Sequence, residues 1–167
     1  MPSFSEYYWA GRRGHLIGVG GVSMSPLAEV LAEAGLVITG SDMNASVSTD
    51  ELVAKGIEVH IGHRAENIQG ADCIIRTAAA HNDNPEVAAA RAQGIPVFER
   101  AQAWGVIMRE YKNAICVSGT HGKTTTTGML THIFMQAQRD PTVMMGGYLP
   151  LLHAGHRVGS GDTIIME

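Results

Sequence analysis

The chain has 167 residues, of which 45% are hydrophobic and 17% are charged, a balance typical of a globular protein with a sizeable core. The formal net charge of −4 offers no basic surface to a nucleic-acid backbone. No apolar run approaches the ~20 residues that a membrane-spanning helix needs, so we expect no membrane and no nucleic acid among its partners. The length suits one domain, or one domain with part of another.

Both cysteines, Cys73 and Cys116, lie in apolar runs, and we expect both to be buried free thiols. Free thiols are typical of a reducing compartment, and the N-terminal segment has no apolar core long enough for a signal peptide. We therefore expect a cytoplasmic protein. The sequence does not indicate an oligomeric state.

Short apolar runs alternate along the chain with stretches of helical period, and glycine or polar turns separate them. The predicted strands, in chain order, are residues 15–20, 36–42, 57–62, 72–77, 95–99 and 114–118. The predicted helices are residues 25–35, 48–55, 84–94, 100–110 and 128–137. Asn84 suits the N-cap of the third helix, with Pro85 at its first position, and Gly35 and Gly94 suit two helix ends.

Strands that alternate with helices predict an α/β protein with a Rossmann-like, mainly parallel sheet and helices on both of its faces. One set of strands and helices ends near residues 111–113, where a new strand begins. We therefore predict one domain over residues 1–112 and a second over residues 113–167.

The first glycine-rich turn, "GVGGVS", follows a strand and opens a helix. Small residues let the backbone approach a diphosphate, and the helix N-terminus supplies amide donors and partial positive charge. Asp42 closes the next strand, about where an acid holds ribose hydroxyls in such folds. The structural alternatives are a tight turn that binds no ligand and, for Asp42, a cap on the next segment. The candidate nucleotide-binding residues of the turn are Gly18, Val19, Gly20, Gly21, Val22 and Ser23.

The second glycine-rich loop, "GTHGKTT", lies between a strand and a helix. Val117 stands where the common P-loop has its first glycine, but Gly122, Lys123 and Thr124 are intact. Lys123 would reach terminal phosphates, the Thr124 hydroxyl would hold Mg²⁺, and the loop amides would cradle phosphate oxygens. Residues 113–167 therefore read as the start of a P-loop ATPase domain. Its candidate ATP-binding residues are Gly119, Thr120, His121, Gly122, Lys123, Thr124 and Thr125.

Two histidines three residues apart, His153 and His156, raise the question of a metal site. We expect them in a loop bounded by glycine and proline, with no third ligand nearby. A metal site there is therefore not expected.

The loop "GTHGKTTTT" resembles the ATP loop of the Mur ligases, which add amino acids to peptidoglycan precursors. The segments "HLIGVGGVSMS", "TGSD", "IGH", "DNPEV" and "PVFERAQ" are similar, in order and spacing, to the N-terminal domain of that family. The resemblance runs from His15 to Glu167. Ser23 and Pro26 depart from it, because the family usually has glycine at both positions.

The resemblance implies an ATP-dependent carbon–nitrogen ligase that uses Mg²⁺ and joins L-alanine to UDP-N-acetylmuramate through an acyl phosphate. It implies catalytic roles for Lys123, Thr124 and Glu167, with Thr124 and Glu167 as metal ligands. For the UDP-sugar it assigns Gly18–Ser23 to the diphosphate. It assigns Asp42, His63 and Thr77 to the surroundings of ribose and uracil.

The family has three domains: a UDP-binding domain, a central ATPase and an amino-acid domain. We expect this chain to hold the first domain and the opening of the second, and to bind a nucleotide sugar without forming the amide bond. Three alternatives remain open. They are a sister ligase that adds a whole tripeptide to the same sugar, a dinucleotide-binding oxidoreductase module that rests on "GVGGVS" and Asp42 alone, and a P-loop NTPase that rests on "GKTT" alone.

Overall fold

The computed structural model describes residues 2–167, which form two compact units, the first ending at Val106 and the second comprising Ile107–Glu167. The boundary predicted between residues 112 and 113 lies a few residues later. A short 3₁₀ helix, Met108–Glu110, belongs with the second unit. The Tyr111 hydroxyl that follows it lies 3.0 Å from Thr142 Oγ1 in that unit.

The first unit is built on a parallel sheet of five strands in the order β3-β2-β1-β4-β5. The strands are β1 (Arg13–Ile17), β2 (Val37–Asp42), β3 (Glu58–Ile61), β4 (Cys73–Arg76) and β5 (Val97–Glu99). The helices are α1 (Ser25–Glu33), α2 (Val47–Ala54), α3 (Pro85–Ala92) and α4 (Arg100–Ile107), with 3₁₀ turns at Phe4–Glu6 and Ala65–Ile68. Every strand and helix predicted for this unit is present, within a few residues of its predicted bounds.

The central strand β1 is buried at four successive positions after Arg13, so both faces of the sheet are covered there. On one face Ile17 and Ile74 pack with Val87 and Ala90 of α3 in the hydrophobic core. The predicted mainly parallel α/β fold is confirmed.

Helix α3 begins as its sequence predicts. The Asn84 side chain accepts hydrogen bonds from the amides of Glu86 and Val87, at 2.9 and 3.3 Å, and Pro85 occupies the first helical position. This cap fixes the first turn of α3 and with it the position of Glu86.

The second unit is a four-stranded sheet in the order β6-β9-β7-β8. Its elements are β6 (Asn113–Cys116), α5 (Lys123–Gln136), β7 (Thr142–Leu149), β8 (Ala154–Arg157) and β9 (Thr163–Met166). Strands β6, β9 and β7 run parallel, and β8 pairs antiparallel with β7. The sheet is thus mainly parallel with one antiparallel edge.

The sequence did not predict β7 and β8, and the placement of His156 in a loop was wrong, because His156 lies within β8. The pairing of these strands shifts between Met144 and Leu149, and two glycines in β7 interrupt its apolar pattern. His153 does lie in a turn, with φ of +52°. Residues 2–167 contain no cluster of three or more His, Cys, Asp or Glu side chains that could hold a metal ion.

Cys73 is buried, as predicted, and its desolvation raises the pKa of the thiol to about 12. The expectation of burial was wrong for Cys116, which is exposed. Its strand, β6, pairs with β9 alone among the described strands, so it forms a sheet edge with most of its residues exposed. In the part of the chain that the structure describes, no helix combines the length and the hydrophobicity needed to cross a bilayer.

Candidate functional site

The first glycine-rich turn is held over the carboxyl end of β2. The amides of Gly18 and Val19 both donate to the carbonyl of Ser41, at 2.8 and 3.0 Å. The amide of Gly20 donates to Asp42 Oδ2 at 2.9 Å. Asp42 therefore supports the turn directly.

The turn also leaves no room for side chains where it meets the neighbouring strands. Gly18 has φ of +80°, and a Cβ there would lie 2.6 Å from Thr77 Cγ2. A Cβ on Gly20 would lie 3.0 Å from Asp42 Oδ2 and 3.1 Å from Ser46 Oγ. Glycine at these positions lets the backbone pack closely against the ends of β2 and β4.

The start of α1 offers donors for an anion. Within residues 2–167, the amides of Val22 and Ser23 have no acceptor. Arg100, the first residue of α4, donates a hydrogen bond from its guanidinium to the Ser23 hydroxyl. A full positive charge thus lies beside two unpaired amides at a helix N-terminus, an arrangement suited to a phosphate. Arg100 was not among the binding residues predicted from the sequence, and its position directly after β5 was the signal that could have identified it.

A cavity of about 470 Å³ opens beside this turn, a volume within the range of small-molecule sites. Five of the predicted nucleotide-binding residues line it: Gly18, Gly21, Asp42, His63 and Thr77. The other four, Val19, Gly20, Val22 and Ser23, do not line it, and Val19 is fully buried. The sequence analysis missed the remaining wall, formed by Ile17, Met43 and the loop residues Ala79, Ala80, His81, Asp83 and Asn84.

Below the cavity lies a buried polar network centred on Glu86, which is fully buried in the first turn of α3. Its Oε2 accepts from the Ser41 hydroxyl at 2.7 Å and lies 3.0 Å from His63 Nδ1, while Asn67 Nδ2 donates to Oε1 at 2.5 Å. Burial alone would raise the pKa of Glu86. The nearby His15 imidazole, whose Nε2 lies 3.8 Å from Oε1, and hydrogen bonds from Ser41 and Asn67 outweigh it and lower that pKa from its ordinary 4.5 to about 2.

The second glycine-rich loop links β6 to α5, with Gly122 in the left-handed conformation, φ +77°, as the residue before the helix. The Val117 amide donates to Met166 at 2.7 Å. Among the residues that the structure describes, the eight amides from 118 to 125 have no acceptor within the chain. The predicted ATP-binding residues all lie on this stretch, which presents consecutive free donors to an anion.

Hydrogen bonds orient two side chains at this loop, Thr124 toward the residue that follows β9 and Lys123 toward the loop itself. Thr124 Oγ1 donates to Glu167 Oε1 at 2.9 Å, and the Gly146 amide also donates to Glu167. Glu167 Oε2 is buried without a hydrogen-bond partner in the described chain. Lys123 Nζ donates to the carbonyl of Gly119 at 2.8 Å, which holds its ammonium over the loop.

The oxygen atoms of Thr124 and Glu167 fit a magnesium ion. Mg²⁺ prefers oxygen ligands and is often held by one or two protein groups together with substrate phosphates and water. The unpartnered, buried Glu167 Oε2 is a carboxylate oxygen still open to such a ligand. The structure therefore brings the two predicted metal ligands together.

The model of the Mur ligase family, catalytic domain, matches residues 13–112. The chain is 48% identical over 153 residues to the UDP-N-acetylmuramate–L-alanine ligase of Clostridium botulinum, covering 92% of this chain and 33% of that protein.

Solved structures of two such ligases also match this chain. UDP-N-acetylmuramate–alanine ligase from Thermotoga maritima matches with a TM-score of 0.84 and 33% identity, covering 92% of this chain and 36% of that one. UDP-N-acetylmuramate:L-alanyl-gamma-D-glutamyl-meso-diaminopimelate ligase from Neisseria meningitides matches with a TM-score of 0.84 and 27% identity, covering 95% and 52%. The chain spans about one third of the length of the curated relatives it matches.

Proposed function

The chain belongs to the Mur ligase family, and we propose that it supplies the nucleotide-sugar site and part of the ATP site of an enzyme that joins L-alanine to UDP-N-acetylmuramate. One observation carries the proposal: each unit has its own phosphate cradle, by which we mean a glycine-rich loop with unpaired backbone amides. Each cradle is supported by an acid at the end of a neighbouring strand. Asp42 has that role in the first unit and Glu167 in the second. Two separate cradles suit a reaction between a nucleotide sugar and ATP.

In the first unit, the diphosphate would bind at the amides of Val22 and Ser23, next to the Arg100 guanidinium. The nucleoside would occupy the cavity lined by Asp42, His63 and Thr77. Charge-assisted hydrogen bonds of this kind are stronger than neutral ones and favour a doubly charged ligand.

In the second unit, the free amides from 118 to 125 and the Lys123 ammonium would hold the phosphates of ATP, and Thr124 and Glu167 would hold Mg²⁺. When bound, Mg²⁺ supplies charge neutralisation at the phosphates. Lys123 and the amides stabilise the negative charge that spreads over the transferred phosphoryl group. The carboxylate of the sugar would accept that group with release of ADP, and the alanine amine would then displace phosphate to form the amide.

The tripeptide-adding ligase remains the second candidate, because the Neisseria relative has the same TM-score as the alanine ligase. The sequence favours alanine, since among the solved structures identity is 33% to the alanine ligase and 27% to the tripeptide ligase, and it reaches 48% to a curated alanine ligase. We further propose that the enzyme is cytoplasmic, which the free thiol of Cys73 supports.

Calorimetric titration of the 167-residue chain with UDP-N-acetylmuramate tests the proposal. Binding is the readout, since the chain spans a third of its relatives and we propose that it forms no amide bond alone. We expect saturable binding with a dissociation constant below about 1 mM, and no binding of NAD. A folded chain that shows no heat of binding up to that concentration, or that prefers NAD, would contradict it.

A matched pair of variants locates the site. Asp42→Ala removes the acceptor of the Gly20 amide, so we expect affinity for UDP-N-acetylmuramate to fall about 10-fold. Asp50→Ala removes an exposed carboxylate of α2 and should leave affinity unchanged. Equal affinities in the two variants would place the ligand elsewhere.

A further inference from the structure

The buried network below the cavity fixes the positions of its protons. The Ser41 hydroxyl donates to Glu86 Oε2 at 2.7 Å, so its single proton is committed to that bond. Glu86 has a pKa of about 2 and is therefore an ionised carboxylate, which only accepts hydrogen bonds, at neutral pH.

His63 Nδ1 faces both of these acceptors. It lies 3.0 Å from Glu86 Oε2 and 3.1 Å from Ser41 Oγ. Because neither atom has a proton to offer, the proton in this contact belongs to Nδ1. The neutral imidazole is then the tautomer whose other nitrogen, Nε2, is an acceptor.

The Nε2 atom is available to a ligand. The His63 side chain is only 14% exposed, yet it lines the cavity. Its Nε2 has no hydrogen-bond partner among residues 2–167 and is not among their buried unpaired atoms. Asp42, His81 and Asp83 are the other titratable side chains of the cavity wall, and none of them is bonded to His63.

We propose that Glu86 and Ser41 hold His63 as its Nδ1–H tautomer, so that Nε2 selects a ligand group that donates a hydrogen bond into the cavity. The inference rests on the proposed function, because a uridine nucleotide offers two kinds of donor, the imide N–H of the base and the ribose hydroxyls. Glu86 and Ser41 are positioning residues that act through His63. A ligand with an acceptor at the same place would leave two lone pairs facing each other and bind more weakly.

Nitrogen NMR of the ligand-free chain tests the tautomer directly. Two-bond proton–nitrogen correlations distinguish a protonated from an unprotonated ring nitrogen, and the His63 signals are those that disappear in His63→Gln. We expect a protonated Nδ1 and an unprotonated Nε2. A protonated Nε2, either with a bare Nδ1 or in an imidazolium paired with Glu86, would overturn the proposal.

The variants Glu86→Gln and Ser41→Ala test the positioning role. Glu86→Gln should shift the His63 nitrogen signals toward a mixture of tautomers and lower affinity for UDP about 10-fold. Ser41→Ala removes only one of the two acceptors of Nδ1, so we expect a smaller shift and a smaller loss in the same direction. Glu29→Gln is the matched control, because Glu29 is a largely buried carboxylate that pairs with Lys55 and does not line this cavity. If Glu86→Gln unfolds, Ser41→Ala answers the same question. Wild-type signals and affinity in a folded variant would overturn the role.

Ligand analogues identify the donor. CDP replaces the imide N–H of UDP with an acceptor, and 2′-deoxy- and 3′-deoxy-UDP each lack one hydroxyl. We expect one of the three analogues to bind about 10-fold more weakly than UDP. In His63→Gln the affinities of UDP and that analogue should be closer to each other. Equal binding of all four would overturn the selection by Nε2. Failure of UDP to bind at all would instead refute the proposed function, while the tautomer measurement would still stand.

Discussion

At the scale of single residues, both a neighbouring side chain and the backbone conformation require glycine at position 18. Its φ is +80°, and a Cβ would lie 2.6 Å from Thr77 Cγ2. Gly56 has nearly the same φ, +86°, with nothing within 4 Å of the equivalent Cβ. Alanine substitutions at these two positions therefore separate the free-energy cost of backbone strain from the free-energy cost of the steric clash.

We predict that Gly18→Ala lowers the free energy of unfolding by about 2–4 kcal/mol, and Gly56→Ala by about 1–2 kcal/mol. Both variants have the strained φ, but only the first forces Thr77 to move. Urea unfolding followed by tryptophan fluorescence measures the difference, because Trp9 and Trp104 both lie in the first unit. Equal losses in the two variants would contradict the clash.

The sequence could place Asp42 near the glycine turn, because it ends a strand, and parallel strands present their carboxyl ends at one edge. His63 and Thr77 were assigned to the same region only by the resemblance to the Mur ligases. Their assignment to a nucleotide remains a prediction. Glu86 could not be found in this way. A glutamate in the first turn of a helix is common on exposed surfaces, and only the packing of α3 against the sheet buries it.

At the scale of elements, the first turn of α3 places an ionised carboxylate in the interior of the first unit. The folded pKa of Glu86 is about 2 and its ordinary value is 4.5. Ionised Glu86 therefore stabilises the fold fully above the ordinary pKa, and this contribution is lost as the pH falls from 4.5 toward 2.

We predict that the difference in unfolding free energy between wild type and Glu86→Gln is largest near neutral pH and shrinks below pH 4.5, by up to on the order of 3 kcal/mol. Urea titrations from pH 7 to about pH 3, again followed by tryptophan fluorescence, measure it. Asp140 is a second carboxyl whose pKa lies well below its usual range, because Arg157 and Ser160 donate hydrogen bonds to it. It lies in the second unit, which has no tryptophan, so the fluorescence signal reports on the unit that contains Glu86. A difference that is independent of pH would refute the prediction.

Strand β7 was missed in the sequence because Gly146 and Gly147 weaken its strand pattern, yet these glycines have a structural reason. A Cβ on Gly146 would lie 2.7 Å from Glu167 Oε1, and one on Gly147 would lie 3.0 Å from Thr124 Cγ2. The β7 backbone therefore packs directly against both candidate metal ligands.

Gly146→Ala should displace the Glu167 carboxylate while the fold survives, because the clash is with the end of a flexible side chain. We expect affinity for ATP in the presence of Mg²⁺ to fall about 10-fold. The control is Gly128→Ala in α5, where a Cβ would meet Leu149 at an ordinary 3.5 Å. Titrations with and without Mg²⁺ measure the effect, and unchanged Mg²⁺-dependent affinity would rule out the role of Glu167.

At the scale of the whole molecule, the two units position their glycine-rich loops in the same way but with different residues. Each places a glycine-rich loop at the carboxyl ends of parallel strands, and each stabilises that region through an acidic side chain. The sequence predicted the parallel sheet of the first unit because its strands and helices alternate regularly. It could not predict the antiparallel edge of the second, since β7 and β8 depart from that alternation.

If the cradles serve different molecules, Lys123→Ala should remove ATP binding and leave affinity for UDP-N-acetylmuramate within about three-fold of wild type. The reason is that Lys123 contacts its own loop, through the carbonyl of Gly119. Calorimetry of the variant with each ligand measures both effects. A large loss of nucleotide-sugar affinity would mean that the two sites do not act separately.

The order of strands in the second unit has a consequence during biosynthesis. Among the described strands, β6 pairs with β9 alone, and the contact between Asn113 and Thr163 spans 50 residues of sequence. The loop after β6 is anchored by the same late strand, through Met166 and the following Glu167. While the ribosome is still adding these residues, β6 has no neighbouring strand. We therefore expect the second glycine-rich loop to become ordered well after the five strands of the first unit have been synthesised.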